Sequence, residues 1–310
     1  MRILLTGSSG QLGMALSASL PTQINGTPVQ LIVTGRNVVS GMGLEPLDLA
    51  DVNQCREAIQ KHQPDWVLNA GAYTAVDRAE AEPELAHAIN ASAPRALAEA
   101  MAASSAQARF LQISTDFVFS GQQGCPYLPE QPLSPLGVYG ASKASGEQAV
   151  LEVLNDGPHG RASILRTSWV YGPVGSNFLL TMLRLHAQKA KADEPLRVVA
   201  DQVGCPTSTL GLAEACWAVI RHEASGVLHW SDAGAASWYD FAVAIGEIGQ
   251  MCGLLDRAAE VQPIQTAEYP TPAKRPSYSL LECNSTRQKL KLQHRYWRSA
   301  LQEVMRHVEK

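Results

Sequence analysis

The chain has 310 residues, 45% of them hydrophobic, and a formal net charge of −4. That is enough apolar material for a large core and more than one subdomain. The weak acidity and the lack of a basic tract exclude nucleic acid as an expected partner. No stretch is long and apolar enough to span a membrane, and the apolar run after Arg2 is too short for a signal peptide. The six cysteines are scattered, with no C-x-x-C and no Cys/His cluster. They read as reduced thiols of a cytosolic protein, and no metal site is expected.

In chain order, the runs RILLTG, LIVTG, WVLNAG, RFLQIST and ASILRTSWVYG read as buried parallel strands. Ala-rich segments of helical length, such as 82–104, lie between them. This alternation predicts an α/β fold, a doubly wound parallel sheet of the Rossmann type. Each run ends in Gly, Ser, Thr or Asn, and such strand ends line the ligand crevice in doubly wound sheets. Beyond Gly172 the rhythm loosens. NFLLTMLRLHAQKA reads as a helix, LRVVADQVGCPTST as a strand running into a loop and GVLHWSD as a short strand. A helix is expected over 240–255, capped by Ser237, and another over 297–308. YPTPAKRPSYS reads as an irregular loop. The expected organisation is a dinucleotide-binding domain over 1–170, with returning segments near 197–230. Residues 171–310 mostly form a smaller, interleaved substrate-binding lobe over the sheet's C-terminal edge.

ILLTGSSGQLGMAL carries Gly7, Gly10 and Gly13 between an apolar strand and an apolar helix. Gly7 permits a tight turn, Gly10 a close backbone approach to a pyrophosphate, and Gly13 close helix–strand packing. The helix N-terminus then offers free N–H groups to phosphates. The plainer alternative is an ordinary glycine turn. At the end of the second strand stands Arg36, with no acid nearby. An arginine there suits a 2′-phosphate and favours NADPH over NADH; otherwise it is a solvated loop charge.

FLQISTDFVFSG places Ser114, Thr115 and Asp116 at a strand end, and VYGASKASGE places Tyr139 four residues before Lys143. Reduction of a ketone needs a hydride and a proton. Lys143, one helical turn on, is expected to lower the Tyr139 pKa so that the phenol can give the proton. Thr115 can hydrogen-bond the carbonyl oxygen, and Lys143 can also reach cofactor ribose hydroxyls. His87, His159 and the other histidines pair with no nucleophile and read as structural or surface residues.

These features resemble the extended short-chain dehydrogenase/reductase superfamily. NAGAYTAVDRAEAEPELAHAIN, ISTDFVFSGQQGCPY, PLSPLGVYGASKASGEQAV, DQVGCPTST and YPTPAKRPSYS are similar to the dTDP-4-dehydrorhamnose reductase family within it. The resemblance implies reduction of dTDP-4-dehydro-6-deoxy-L-mannose to dTDP-L-rhamnose by NADPH, or alternatively NADH, in the cytoplasm. It implies Tyr139 as proton donor, Lys143 as its partner and Thr115 as the hydroxyl tuning the pair. It assigns Gly10, Gln11 and Leu12 to the pyrophosphate, Asp48 and Leu49 to the adenine, and Gly71, Ala72 and Tyr73 to the cofactor's side. Gly71 stands where that family commonly has alanine. Asp116 and Trp169 would touch the sugar nucleotide, and Lys274 and Arg275 its diphosphate. Plainer roles are a helix or turn cap for Asp116, a core position for Trp169 and a solvated loop for the basic pair. A homodimer is compatible with the family. Two rival functions share the superfamily: a non-catalytic regulatory subunit like that of methionine adenosyltransferase, and a reductase or epimerase of another nucleotide deoxysugar.

Overall fold

The computed structural model describes residues 1–36, 44–154 and 160–309. His159, and Asn37 beside Arg36, lie outside the described residues. Seven parallel strands form the central sheet. They are β1 (Arg2–Thr6), β2 (Gln30–Gly35), β3 (Glu45–Pro46), β4 (Trp66–Asn69), β5 (Arg109–Thr115), β6 (Ala162–Thr167) and β7 (Gly226–Trp230). Their spatial order is 7-6-5-4-1-2-3. The order reverses between β1 and β4, which pair from Ile3↔Trp66 to Thr6↔Asn69. A doubly wound sheet opens its ligand crevice at the carboxyl ends of the strands flanking that reversal.

Alternation along each strand feeds two core layers, because successive side chains point to opposite faces. Ile3, Leu5, Leu68, Leu111 and Leu165 face α1 (Gln11–Ala18) and α6 (Thr209–Arg221). Leu4, Val67, Phe110 and Ile164 face α2 (Val52–His62), α3 (Ala93–Ser104) and α4 (Val138–Leu154). The segment 82–104 is not one regular helix. A π-turn over Ala88–Ser92 separates a short helix, Pro83–His87, from α3. Pro94 explains part of this, since it has no N–H to give to a preceding turn.

A second core joins α5 (Phe178–Ala192), α7 (Trp238–Met251) and α8 (Trp297–Met305) around Tyr171, Phe241 and Trp297. Ser237 caps α7 in a reciprocal capping box with Asp240. The helix stops at Met251, short of the expected 255, and α8 stops at Met305, short of 308. Leu196–Val199 pairs with Val261–Ile264 outside the main sheet, whereas residues 209–230 cross back to add α6 and the outermost strand β7. Among the described residues no helix is long and apolar enough to cross a membrane.

Candidate active site

The glycine turn, the carboxyl ends of β4 and β5 and the start of α4 converge on the reversal point. Gly7 has φ +65°, and a Cβ there would come within 2.5 Å of the Gly71 Cα, so the turn and the loop after β4 are pressed together. Gly71 N donates to Thr6 Oγ1 at 3.0 Å. A Cβ on Gly71 would sit 2.5 Å from Leu49 Cδ1, so an alanine there requires the buried Leu49 to move. Gly10 opens α1 with no side-chain cap and no acid in the first turn. The first N–H groups of α1, at Gln11, Leu12 and Gly13, are therefore left for an external anion. These features fit a dinucleotide's pyrophosphate.

Arg36 is exposed at the end of β2. The Asp48 side chain takes the Ala50 N–H at 2.9 Å. Ala72 and Tyr73 continue from Gly71, and Asn90 fixes them by accepting Tyr73 N–H and donating to Tyr73 O. The Tyr73 hydroxyl donates to Glu82 at 2.6 Å. Gln11 is turned toward the second lobe, donating to Val170 O at 3.1 Å and accepting from Asn177 at 3.3 Å.

Thr115 ends β5, opposite Thr167 of β6. Its hydroxyl donates to Asp116 Oδ1 at 3.0 Å and accepts the Phe117 N–H at 3.2 Å. Thr115, rather than Asp116, thus caps the short 3-10 turn that follows. Tyr139 and Lys143 lie on the first turns of α4, which is built of small residues because its surroundings press close. A Cβ on Gly146 would overlap the Asn90 carbonyl, and one on Gly140 the Phe117 carbonyl. The small-residue texture of VYGASKASGE is this packing.

The electrostatics depart from the sequence expectation. Burial pushes the Tyr139 phenol up to about 12; the Thr115 hydroxyl holds it down and the Asp116 charge adds to the rise. Lys143 does not lower it, because its buried ammonium is turned to β5, where Nζ donates to Ile113 O at 2.6 Å. Burial also draws the Lys143 amine down to about 8, against the charge of Glu147. Asp116 is 1% exposed. Its Oδ2 has no hydrogen-bond partner among the described residues. Burial raises its carboxyl to about 6, with the Ser279 and Thr115 hydroxyls opposing.

Behind this group lies a buried ion pair that sequence reasoning missed. Arg166 Nη2 meets Glu147 Oε2 at 2.7 Å, with side chains 4% and 1% exposed. Glu147 also accepts from Ser114 and from Arg166 Nε, and Arg166 Nη1 donates to Pro129 O at 2.9 Å. Signals were present. Glu147 stands one turn beyond Lys143, and Arg166 interrupts an apolar strand where a charge needs a partner.

Two residues after β6, Trp169 adopts φ +48°, an unusual backbone for so large a side chain. Its ring stacks on Trp238 at 3.6 Å between centroids and 7° between planes. Gly204 leaves no room for a Cβ against the same ring. Trp169 is half-buried and packs at the margin of the second core. On the Pro-rich loop the basic pair divides. Lys274 is exposed, while Arg275 turns inward to Asp77 at 2.7 Å.

Comparisons with known proteins give the family. The family model described as RmlD substrate binding domain matches residues 1–310. A dTDP-4-dehydrorhamnose reductase of Sinorhizobium fredii is 38% identical, covering 92% of this chain and 90% of its own. A probable dTDP-4,6-dihydroxy-2-methyloxan-3-one 4-ketoreductase of Streptomyces antibioticus is also 38% identical, covering 98% and 94%. Among solved structures, dTDP-4-dehydrorhamnose reductase of Bacillus anthracis in complex with NADP superposes with a TM-score of 0.83. It is 33% identical over 98% of each chain.

Proposed function

Because the chain belongs to the family of the RmlD substrate binding domain, we propose that it reduces the 4-keto group of dTDP-4-dehydro-6-deoxy-L-mannose to give dTDP-L-rhamnose, using NADPH. The observation that supports this reading is Thr115, at the end of β5, against the Tyr139 phenol, with Lys143 one turn further along α4. NADPH, when bound, supplies the hydride. Gly7, Gly10, Gln11, Leu12 and Gly13 would hold its pyrophosphate, Asp48 and Leu49 its adenine, and Gly71, Ala72 and Tyr73 its flank. Arg36 would take the 2′-phosphate, which NADH, the weaker alternative, lacks.

A phenol raised to about 12 is protonated at neutral pH, so Tyr139 enters the reaction as an acid. Its proton passes to the ketone oxygen as that oxygen gains negative charge. Thr115 orients the same oxygen through its hydroxyl. Lys143 spends one N–H on Ile113 O. Its remaining N–H groups are free to bind ribose hydroxyls of the cofactor. Asp116 and Trp169 would hold the sugar, and Arg275, with Lys274 beside it, the diphosphate. The six free cysteines suit a reducing, cytoplasmic compartment.

The test is oxidation of NADPH with dTDP-4-dehydro-6-deoxyglucose, with and without a 3,5-epimerase. Oxidation only with the epimerase is the expected result; none in either case, with NADPH bound, overturns it. The Streptomyces relative favours a second reading, reduction of another dTDP-deoxysugar ketone. Oxidation without the epimerase would select it.

A further inference from the structure

The loop 269–279 has little regular structure of its own, so its position depends on what holds it. One tether is Asp77, on the four-residue helix Val76–Ala79 that follows Gly71–Tyr73. Asp77 Oδ1 accepts the Ala273 N–H at 3.2 Å, and Oδ2 accepts Arg275 Nη2 at 2.7 Å. The other terminal nitrogen of Arg275, Nη1, is buried without a hydrogen-bond partner among the described residues. The guanidinium carbon lies 5.9 Å from the Phe117 ring centroid, and Phe117 meets the Tyr139 ring edge-on at 5.6 Å. One aromatic ring therefore separates this unsatisfied donor from the phenol. Three residues along the chain from Asp77, Glu80 accepts the Val138 N–H at 2.9 Å, at the start of α4. The segment 77–80 thus joins the loop after β4, the helix bearing Tyr139 and the Pro-rich loop.

A carboxylate beside Arg275 weakens the pull of that site on any anion, since it cancels part of the charge. Its presence calls for a compensating benefit. An arginine clamped at one nitrogen loses rotational freedom before its ligand arrives, and a buried N–H without a partner favours one that supplies an oxygen. We propose that Asp77 is a positioning residue for the nucleotide-sugar substrate. It fixes Arg275 with one N–H edge reserved for the anionic diphosphate, and it anchors the loop through Ala273. This rests on the reading of Arg275 given under the proposed function.

The test compares Asp77→Asn and Arg275→Ala by calorimetric titration with dTDP and with thymidine, alongside steady-state kinetics. For Asp77→Asn, dTDP affinity falls roughly tenfold, about 1.4 kcal/mol by the affinity relation. Thymidine and NADPH affinities hold, KM for the sugar nucleotide rises, and kcat at saturation stays within about twofold. Unchanged or tighter dTDP binding would overturn the proposal, since Asp77 would then be only a counter-charge. Equal loss of thymidine binding would also overturn it, by showing that Asp77 supports the whole nucleotide site rather than holding Arg275 for the diphosphate. If Arg275→Ala leaves dTDP affinity unchanged, the underlying reading of Arg275 fails instead.

Discussion

The Glu147–Arg166 pair offers a sharp test of what supports the catalytic helix. In Glu147→Gln the Arg166 guanidinium stays buried, with a side chain 4% exposed, but loses its counter-ion. Glutamine cannot repair this. Glu147 accepts from Ser114 and Arg166 Nε on Oε1 and from Arg166 Nη2 on Oε2, and an amide has one oxygen for both sets. Removing one partner of a buried pair costs about 3–5 kcal/mol. At about 2–4 °C per kcal/mol for a large domain, the thermal midpoint should drop by roughly 6–20 °C. The double variant Glu147→Leu with Arg166→Met removes both charges and should recover much of the loss, because replacing a whole buried pair is often close to neutral. Scanning calorimetry with and without NADPH reads both. A single variant within about 2 °C of the parent, on the same scale, would refute the reasoning. So would a double variant no more stable than the single.

Tyr139→Phe should lower turnover by about 10²–10⁴-fold while leaving NADPH affinity unchanged, as stopped-flow and fluorescence titration would reveal. Lys143, drawn down to about 8, should make the reduction rate fall as pH rises through that value. For stability the sign is the opposite: its contribution is fully present above its ordinary 10.5 and is lost as pH falls through about 8, so Lys143→Met should flatten stability between those limits. Arg36→Ala should weaken NADPH binding far more than NADH binding; equal losses would remove Arg36 from the 2′-phosphate.

Much of the fold was legible because burial on both faces of a parallel sheet leaves a strong mark. RILLTG, WVLNAG and RFLQIST each carry consecutive apolar residues (Ile3–Leu5, Trp66–Leu68 and Phe110–Leu111), and all three are central strands. The interruption at Ala88–Ser92 was only partly legible: Pro94 marks a break, but the turn also forms where Asn90 serves Tyr73 and Ser142, a tertiary demand that the local sequence does not carry. At the site, the spacing of Tyr139 and Lys143 placed them on one helical face. It could not reveal that Lys143 would bond to the Ile113 carbonyl, since that depends on how closely α4 approaches β5. The split between Lys274 and Arg275 was likewise invisible, because Asp77, which decides it, lies almost two hundred residues away.

The outermost strand β7 has a consequence for how the protein is made. Leu111 and Leu165 on the sheet are covered by Leu212, Cys216 and their neighbours of α6, and β6 finds its last partner only in Gly226–Trp230. A nascent chain that has delivered only its first 170 residues from the ribosome therefore exposes an apolar face and an unpaired strand edge, the surfaces that invite aggregation. A chain truncated after Tyr171 would carry the same liability permanently. Synthesis must pass Trp230 before the nucleotide-binding half can close, so the translation rate through 171–230 sets how long that hazard lasts.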